Sequence, residues 1–212
     1  DYEYKVDKGV ILLKSGDKDK SDKYFEDLIT EIERNVNYFN QVSNRFMKYE
    51  MLDWAEKTLE YGASKGKRNQ YNYSLARLYV RMNAKEKLQN LLIDGMVDGS
   101  VNMSYAQSTL QRALTVEDYG SLESKVLTII QDQPENYDLS EFMIWIYYQK
   151  KDFYGALMQA KAFDRKNKMG GKKVMEVGEI SMKNKDYENA IDAFNYITTN
   201  YPESQYNLPA KK

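Results

Sequence analysis

The feature that most constrains this chain is a period of about 34 residues running from end to end. Stepping back from Ala190 reaches Ala156, Leu122, Leu88, Ala55 and Ser21, at intervals of 34, 34, 34, 33 and 34 residues. A companion column keeps step as Phe194, Ala160, Val126, Leu92, Leu59 and Phe25, and an earlier one reads Gly178, Ile144, Leu110, Ala76, Ser43 and Gly9. A fixed period of this length marks a stack of supersecondary units, each unable to bury its apolar face alone. The single missing residue falls around Lys65 to Asn69, in a loop between units, where a stack tolerates it best.

Within each period the apolar spacing is helical. Tyr24, Phe25, Leu28, Ile29 and Ile32 recur at three- and four-residue steps, as do Tyr187, Ile191, Phe194 and Ile197. Breaks are read at Lys14–Asp17, Gly62–Gly66, Asp98–Ser100, Gln133–Asn136 and Met169–Gly171. Only 3 Pro and 11 Gly in 212 residues fit about a dozen helices of roughly 12–14 residues and argue against a β-sandwich. Each period is then a helix pair, A followed by B. The Gly9/Ser43/Ala76/Gly178 column lies in A and the Ser21/Ala55/Ala156/Ala190 column lies early in B, where small side chains let two helices approach. Phe25, Leu59, Leu92, Val126 and Phe194 in B, and Leu12, Phe46, Tyr79 and Tyr147 in A, fill the space toward the neighbouring pair. Pro134 and Pro202 follow the ends of B helices.

A 34-residue helix-pair period with these columns resembles the tetratricopeptide repeat family. The sixth unit carries it best, through Val177-Gly178, Asp186-Tyr187, Ala190, Phe194 and Pro202. The first matches through Gly9, Leu12, Gly16-Asp17 and Phe25, the second through Phe46, Ala55 and Leu59, the fifth through Tyr147, Phe153 and Ala156. The third and fourth depart, with Leu88 and Leu122 at the small B-helix position. The resemblance implies an all-α solenoid of six helix-turn-helix repeats in a right-handed superhelix. One domain covers 1–204, in units 2–35, 36–68, 69–102, 103–136, 137–170 and 171–204. The tail, 205–212, reads as a truncation point or an incomplete next repeat. Lys185-Asp186-Tyr187-Glu188-Asn189-Ala190 and Asn200-Tyr201-Pro202-Glu203-Ser204 are similar to repeats of exported or lipid-anchored bacterial envelope members. That likeness implies a periplasmic or outer-membrane-associated setting; a cytoplasmic one stays open.

In the family, helix A lines a concave groove that binds a protein or peptide. Its groove columns fall here on Asn37, Asn40, Asn44 and Lys48, on Tyr73, Arg77 and Arg81, on Gln107 and Gln111, and on Trp145, Tyr148 and Gln149. Asn and Gln suit an extended backbone, Arg a carboxylate, Trp and Tyr an apolar anchor; the bland alternative is an ordinary solvated face. The carboxylate clamp of the chaperone-adaptor members is not present as a set. Asn44 matches it, but Asn40 stands where a Lys is expected, Ser74 where an Asn is, and Ser104 where a second Lys is.

Composition removes most chemistry. There is no Cys and no His, so thiol nucleophiles, His-based triads and Cys or His zinc sites are out. No phosphate-cradling glycine motif and no calcium-loop spacing occurs. Acid pairs such as Glu176 with Glu179 are expected by chance among 32 acids. No catalytic residue, metal ligand or cofactor is assigned. The formal net charge is −1, which gives no field for nucleic acid. The basic stretch Lys161, Arg165, Lys166, Lys168, Lys172 and Lys173 lacks interleaved aromatics and reads as a solvated loop. The 19 Tyr are assigned to half-exposed seams between successive A helices. No run is long enough for a transmembrane helix, and the opening Asp1-Tyr2-Glu3-Tyr4 reads as a processed chain.

The expected function is therefore a non-enzymatic protein-interaction scaffold in a bacterial envelope complex. Two other classes stay open: a carbohydrate-binding component of an outer-membrane uptake system, with Trp145 and Tyr148 stacking on sugar, and a regulatory repeat domain of a larger enzyme. The sixth unit is expected to lack cover over Ile191 and Phe194, so that the chain either continues into further repeats or packs its C-terminal end on another copy.

Overall fold

The structure, a computed structural model, describes residues 2–33 and 35–211. Asp1 of the opening run, Arg34 of the first repeat and Lys212 of the tail lie outside the described residues. Among the described residues there are thirteen α-helices, two short 3-10 turns and no strand. The protein is all-α, built of helices packed in adjacent pairs. Two compact units divide the chain, 1–113 and 114–212.

The first unit holds α1 (Tyr2–Lys14), α2 (Lys18–Glu31), α3 (Val36–Lys48), α4 (Leu52–Lys65), α5 (Asn72–Arg81), α6 (Lys85–Val97) and α7 (Met103–Ala113). Here α1 pairs with α2, α3 with α4 and α5 with α6, while α3 also packs on α1, α5 on α4 and α7 on α6. The second unit holds α8 (Tyr119–Asp132), α9 (Tyr137–Lys150), α10 (Phe153–Asn167), α11 (Lys172–Lys183), α12 (Tyr187–Asn200) and the single turn α13 (Asn207–Ala210). Its pairs are α9 with α10 and α11 with α12; α8 packs on α9, α11 on α10, and α13 on α12.

The small and large columns act together within each pair. A Cβ added at Gly9 would lie 2.1 Å from Phe25 Cε1, and one at Gly178 would lie 2.6 Å from Phe194 Cε1, so each ring occupies the space its partner glycine leaves. At the same register the second and third pairs hold Ser43 with Leu59 and Ala76 with Leu92, and the fifth reverses the sizes with Ile144 and Ala160. All six of those side chains are buried. In these five pairs large therefore faces small, which keeps the interhelical volume nearly constant, as close packing demands; Leu110 and Val126, at the same register of the fourth repeat, are both large and depart from the rule. The Ser21/Ala55/Ala156/Ala190 column is fully buried too, and Ser21 Oγ donates to the Gly9 carbonyl at 3.0 Å across the α1/α2 contact. Leu88 and Leu122 are buried in the same way.

Every A-to-B turn except one passes through a left-handed residue. Gly16, Glu50, Asn83, Lys151 and Lys185 stand at the same point of the period, all with φ between 53° and 92°. Met51, Ala84, Asp152 and Asp186 then donate N–H five residues back, to Phe46, Tyr79, Tyr147 and Ser181. This left-handed closure satisfies carbonyls that the end of helix A would leave open. Asp17, Asp152 and Asp186 next accept from the first turn of helix B as N-caps. The fourth repeat departs. There α7 stops at Ala113, and Thr115 with Asp118 forms a reciprocal capping box around the 3-10 turn Val116–Asp118. The division between the two units falls at this point, inside the stretch 103–136.

One expected break is corrected. Gly62 lies inside α4, where a Cβ would fall 2.7 Å from Phe39 Cγ and 2.8 Å from the Tyr71 hydroxyl; the helix continues to Lys65. Gly62 serves close approach, the alternative use of a glycine. In the tail, α13 sits where the period would begin another helix A, and Tyr206 and Ala210 pack against the cluster that includes Val174, Val177, Ala193 and Ile197.

Candidate functional site

Asn37, Asn40, Asn44 and Lys48 are spaced by three and four residues and form one stripe on α3; Tyr73, Arg77 and Arg81 do the same on α5. Because α3 and α5 are helices A of successive repeats, their stripes run alongside each other. Asn44, Lys48, Arg77 and Arg81 line one open cleft of about 580 Å³, and Met47 and Val80 supply its apolar lining. Met47 is buried and Val80 exposed.

The charges in this cleft are not balanced. Arg81 is paired with Glu50 at one end. Arg77 Nη2 donates to Asn44 Oδ1, a neutral acceptor. Neither Arg77 nor Lys48 forms an ion pair among the described residues. Two exposed cations thus stand over an apolar lining, an arrangement suited to a carboxylate carried next to an apolar group. Asn40 is half-buried, and its Oδ1 is buried without a hydrogen bond.

The remaining expected groove residues do not line the cleft. Asn37 is exposed at the start of α3. Tyr73 packs edge-to-face on Tyr105 of α7 with ring centroids 4.5 Å apart, and Tyr2 meets Tyr38 at 5.2 Å. Both contacts lie between successive A helices, the seam role expected for tyrosine. Gln107 is half-buried and Gln111 exposed on α7. Trp145, Tyr148 and Gln149 lie on α9, in the second unit. Trp145 stacks on Phe142 at 5.1 Å and meets Tyr119 at 5.7 Å. Tyr148 packs on the core cluster of the second unit, and burial beside Glu176 pushes its phenol up. These half-buried rings take part in packing within the second unit.

The basic stretch is corrected as well. Lys161, Arg165 and Lys166 belong to α10, and Lys172 and Lys173 open α11. Lys173 pairs with Glu141 of α9 and with Glu176, and Lys166 with Glu135. Lys161 lies 5.0 Å from the Tyr196 ring centre. Much of its charge ties one pair to the next. Buried Asp164 accepts from the Lys173 and Val174 N–H groups, capping α11 from α10; burial pushes its carboxyl up against those two bonds.

A second cleft, of about 510 Å³, was not visible as a sequence column. Glu60 of α4 accepts both guanidinium nitrogens of Arg68, at 2.7 and 3.1 Å, and the Tyr79 hydroxyl at 3.0 Å. Burial raises the Glu60 carboxyl, and the bonds from Arg68 and Tyr79 more than offset it and hold it below the ordinary range. Lys87 pairs with Glu56 beside them, 5.7 Å from the Tyr79 ring centre. These groups satisfy one another, so the cleft reads as a polar brace between the second and third repeats.

No family model and no curated protein matches the chain. Solved structures do. The chain is similar to PilW, titled a widely conserved type IV pilus biogenesis factor, at 12% identity over 100% of this chain and 98% of that one, with a TM-score of 0.40. It is similar to Pseudomonas aeruginosa pilF at 10% identity over 100% and 97%, TM-score 0.36. A third likeness is to the TPR domain of P58(IPK), 10% identity over 99% and 63%, TM-score 0.32.

Proposed function

We propose that this chain is a non-enzymatic scaffold that holds a protein partner, and that the α3/α5 cleft receives a peptide segment bearing a carboxylate next to an apolar side chain. The observation that carries this reading is the pair Lys48 and Arg77, neither of them in an ion pair among the described residues, over Met47 and Val80. Asn44 presets the Arg77 guanidinium, which lowers the cost of fixing a long side chain on binding. Exposed backbone-binding amides, Asn37 and Asn44, lie on the same stripe. The net charge of −1 gives no support to nucleic acid as the partner. The setting we propose is a bacterial envelope complex, resting on the likeness of residues 185–204 to envelope repeats. No helix among the described residues is long and apolar enough to cross a membrane.

The test is fluorescence anisotropy with a panel of peptides that pair Leu or Phe with a free carboxylate, against the same peptides with that carboxylate amidated. Binding should require the carboxylate, weaken with salt, and fall about tenfold or more in Arg77→Ala and in Lys48→Ala, as loss of a charged hydrogen bond of about 1.5–3 kcal/mol predicts. Equal binding of amidated peptides, or full affinity in both variants, would exclude this cleft.

A further inference from the structure

We propose that Glu50 sets the charge of the end group that the α3/α5 cleft accepts: by holding Arg81 it leaves room for one ligand carboxylate and disfavours a second. This inference rests on the reading of that cleft as a carboxylate site. Its starting point is the backbone. Glu50 follows α3 with φ 58°, and the N–H groups of Glu50 and Met51 donate to the carbonyls of Met47 and Phe46 at 3.1 and 3.0 Å. The turn therefore fixes where the Glu50 side chain begins. At the same point of the first and third repeats stand Gly16 and Asn83, residue types that reach left-handed backbone easily. Glutamate does not favour that conformation. What it adds in the second repeat is a carboxylate that reaches the cleft.

The cleft holds three cations, Lys48, Arg77 and Arg81. Among the described residues Arg81 alone of the three meets an anion, its Nη2 donating to Glu50 Oε1. The side chains of this pair are 42% and 69% exposed, so the pair adds little to stability, and its effect lies in where it stands. Arg77 and Arg81 are four residues apart on α5 and share a face. A ligand carboxylate held by Arg77 and Lys48 therefore has Arg81 as the next cation along α5, and Glu50 already occupies it. A second ligand carboxylate must displace Glu50 or lie beside a like charge. On its other side Glu50 lines a separate cleft with Lys18, Asp22 and Asp53, where Lys18 is already paired with Asp22. A displaced Glu50 gains no free cation there. Discrimination of this kind comes from a repulsive element that disfavours the wrong ligand.

Fluorescence anisotropy on the whole chain with two labelled peptides tests this. Both end in Leu with a free carboxylate; the residue before it is Asn in one and Asp in the other, so the second carries two carboxylates. The readout is the ratio of the two affinities. Glu50→Gln should shift that ratio toward the Asp peptide by about two- to fivefold, the range that an exposed ion pair spans. Glu50→Gly keeps the left-handed turn, removes the same charge and should give the same shift, which separates charge from folding. Adding Arg81→Gln to Glu50→Gln should abolish the shift, because the second carboxylate then has no cation to take. Carboxylate-dependent binding with the parent's ratio in both Glu50 variants would overturn this inference and leave the cleft reading standing. A shift that survives Arg81→Gln would overturn it in favour of the general field of the chain. Binding that ignores the terminal carboxylate in every form would overturn the cleft reading and this inference with it.

Discussion

Replacing Gly9 by Ala is the sharpest test of the volume matching inside a helix pair. The new methyl would lie 2.1 Å from Phe25 Cε1, against the roughly 3.5–4.0 Å of a favourable carbon contact. Phe25 cannot retreat, because it is fully buried and boxed by Phe46 at 4.9 Å and Trp54 at 5.2 Å. Overpacking of this kind costs about 1–3 kcal/mol, while Ala in place of Gly within a helix returns about 1 kcal/mol. At 2.1 Å from a ring that cannot move, the cost belongs in the upper half of that range, about 2–3 kcal/mol, so the net expectation is a loss of about 1–2 kcal/mol, a fall in Tm of roughly 2–8 °C for a chain of this size. Gly178→Ala is the internal control. Its methyl would approach Phe194 Cε1 at 2.6 Å and the Ala193 Cβ at 3.0 Å; Phe194 is half-buried and can turn away, so only the Ala193 contact persists and the loss should be smaller than in Gly9→Ala. The double change Gly9→Ala with Phe25→Leu reproduces the Ala76/Leu92 combination. It should be more stable than the sum of the two single changes by about 1 kcal/mol. Thermal and urea melts followed by circular dichroism give all four values. A Gly9→Ala chain as stable as the parent, or strictly additive changes, would refute the matching.

Two further outcomes are expected. Ala156→Leu and Ala190→Leu fill fully buried positions and should each cost roughly 1–3 kcal/mol in the same melts, against about 0.5 kcal/mol or less for Leu at exposed Glu188. Arg45 donates from Nε to Asp7 Oδ1 at 2.6 Å, and Tyr49 donates to the same oxygen at 2.8 Å, so Arg45 above all holds the Asp7 carboxyl below its ordinary 3.8. A depressed carboxylate stabilises fully above the unfolded value and loses that contribution as pH falls through the folded one. Stability should therefore drop below about pH 4 in the parent, and Asp7→Asn should flatten that part of the profile, read by melts between acid and neutral pH.

The period was legible because side-chain volume is written directly into sequence, and a column of Ser, Ala, Leu, Leu, Ala, Ala keeps its register whatever the loops do. The turn chemistry was not. Gly16 and Asn83 are residue types that favour the left-handed conformation, but Glu50, Lys151 and Lys185 adopt it under the constraint of the Schellman-type bonds around them, with no compositional signal. Gly62 shows the converse, a glycine that reads as a break and is required by Phe39 and Tyr71. In the cleft, Asn44, Lys48, Arg77 and Arg81 could be placed together because two helical stripes and one period fix their positions. The Glu60, Arg68 and Tyr79 brace draws on three separate elements with no shared column, and the stacking of Trp145 on Phe142 depends on rotamers that spacing does not specify.

The pairing of large with small side chains also bears on how such a gene can change. A crossover between repeats that cut at an A-to-B turn would join helices that never shared a pair. The first A helix with the fifth B helix would set Gly9 against Ala160 and leave a void; the fifth A with the first B would set Ile144 against Phe25, with no room for both. A crossover between pairs keeps each match whole. The unit that can be duplicated, deleted or exchanged without repair is thus the complete pair, with its boundary near Glu33, Gly66, Ser100, Asn136 or Gly170, and the A-to-B turns are the points where recombination is selected against.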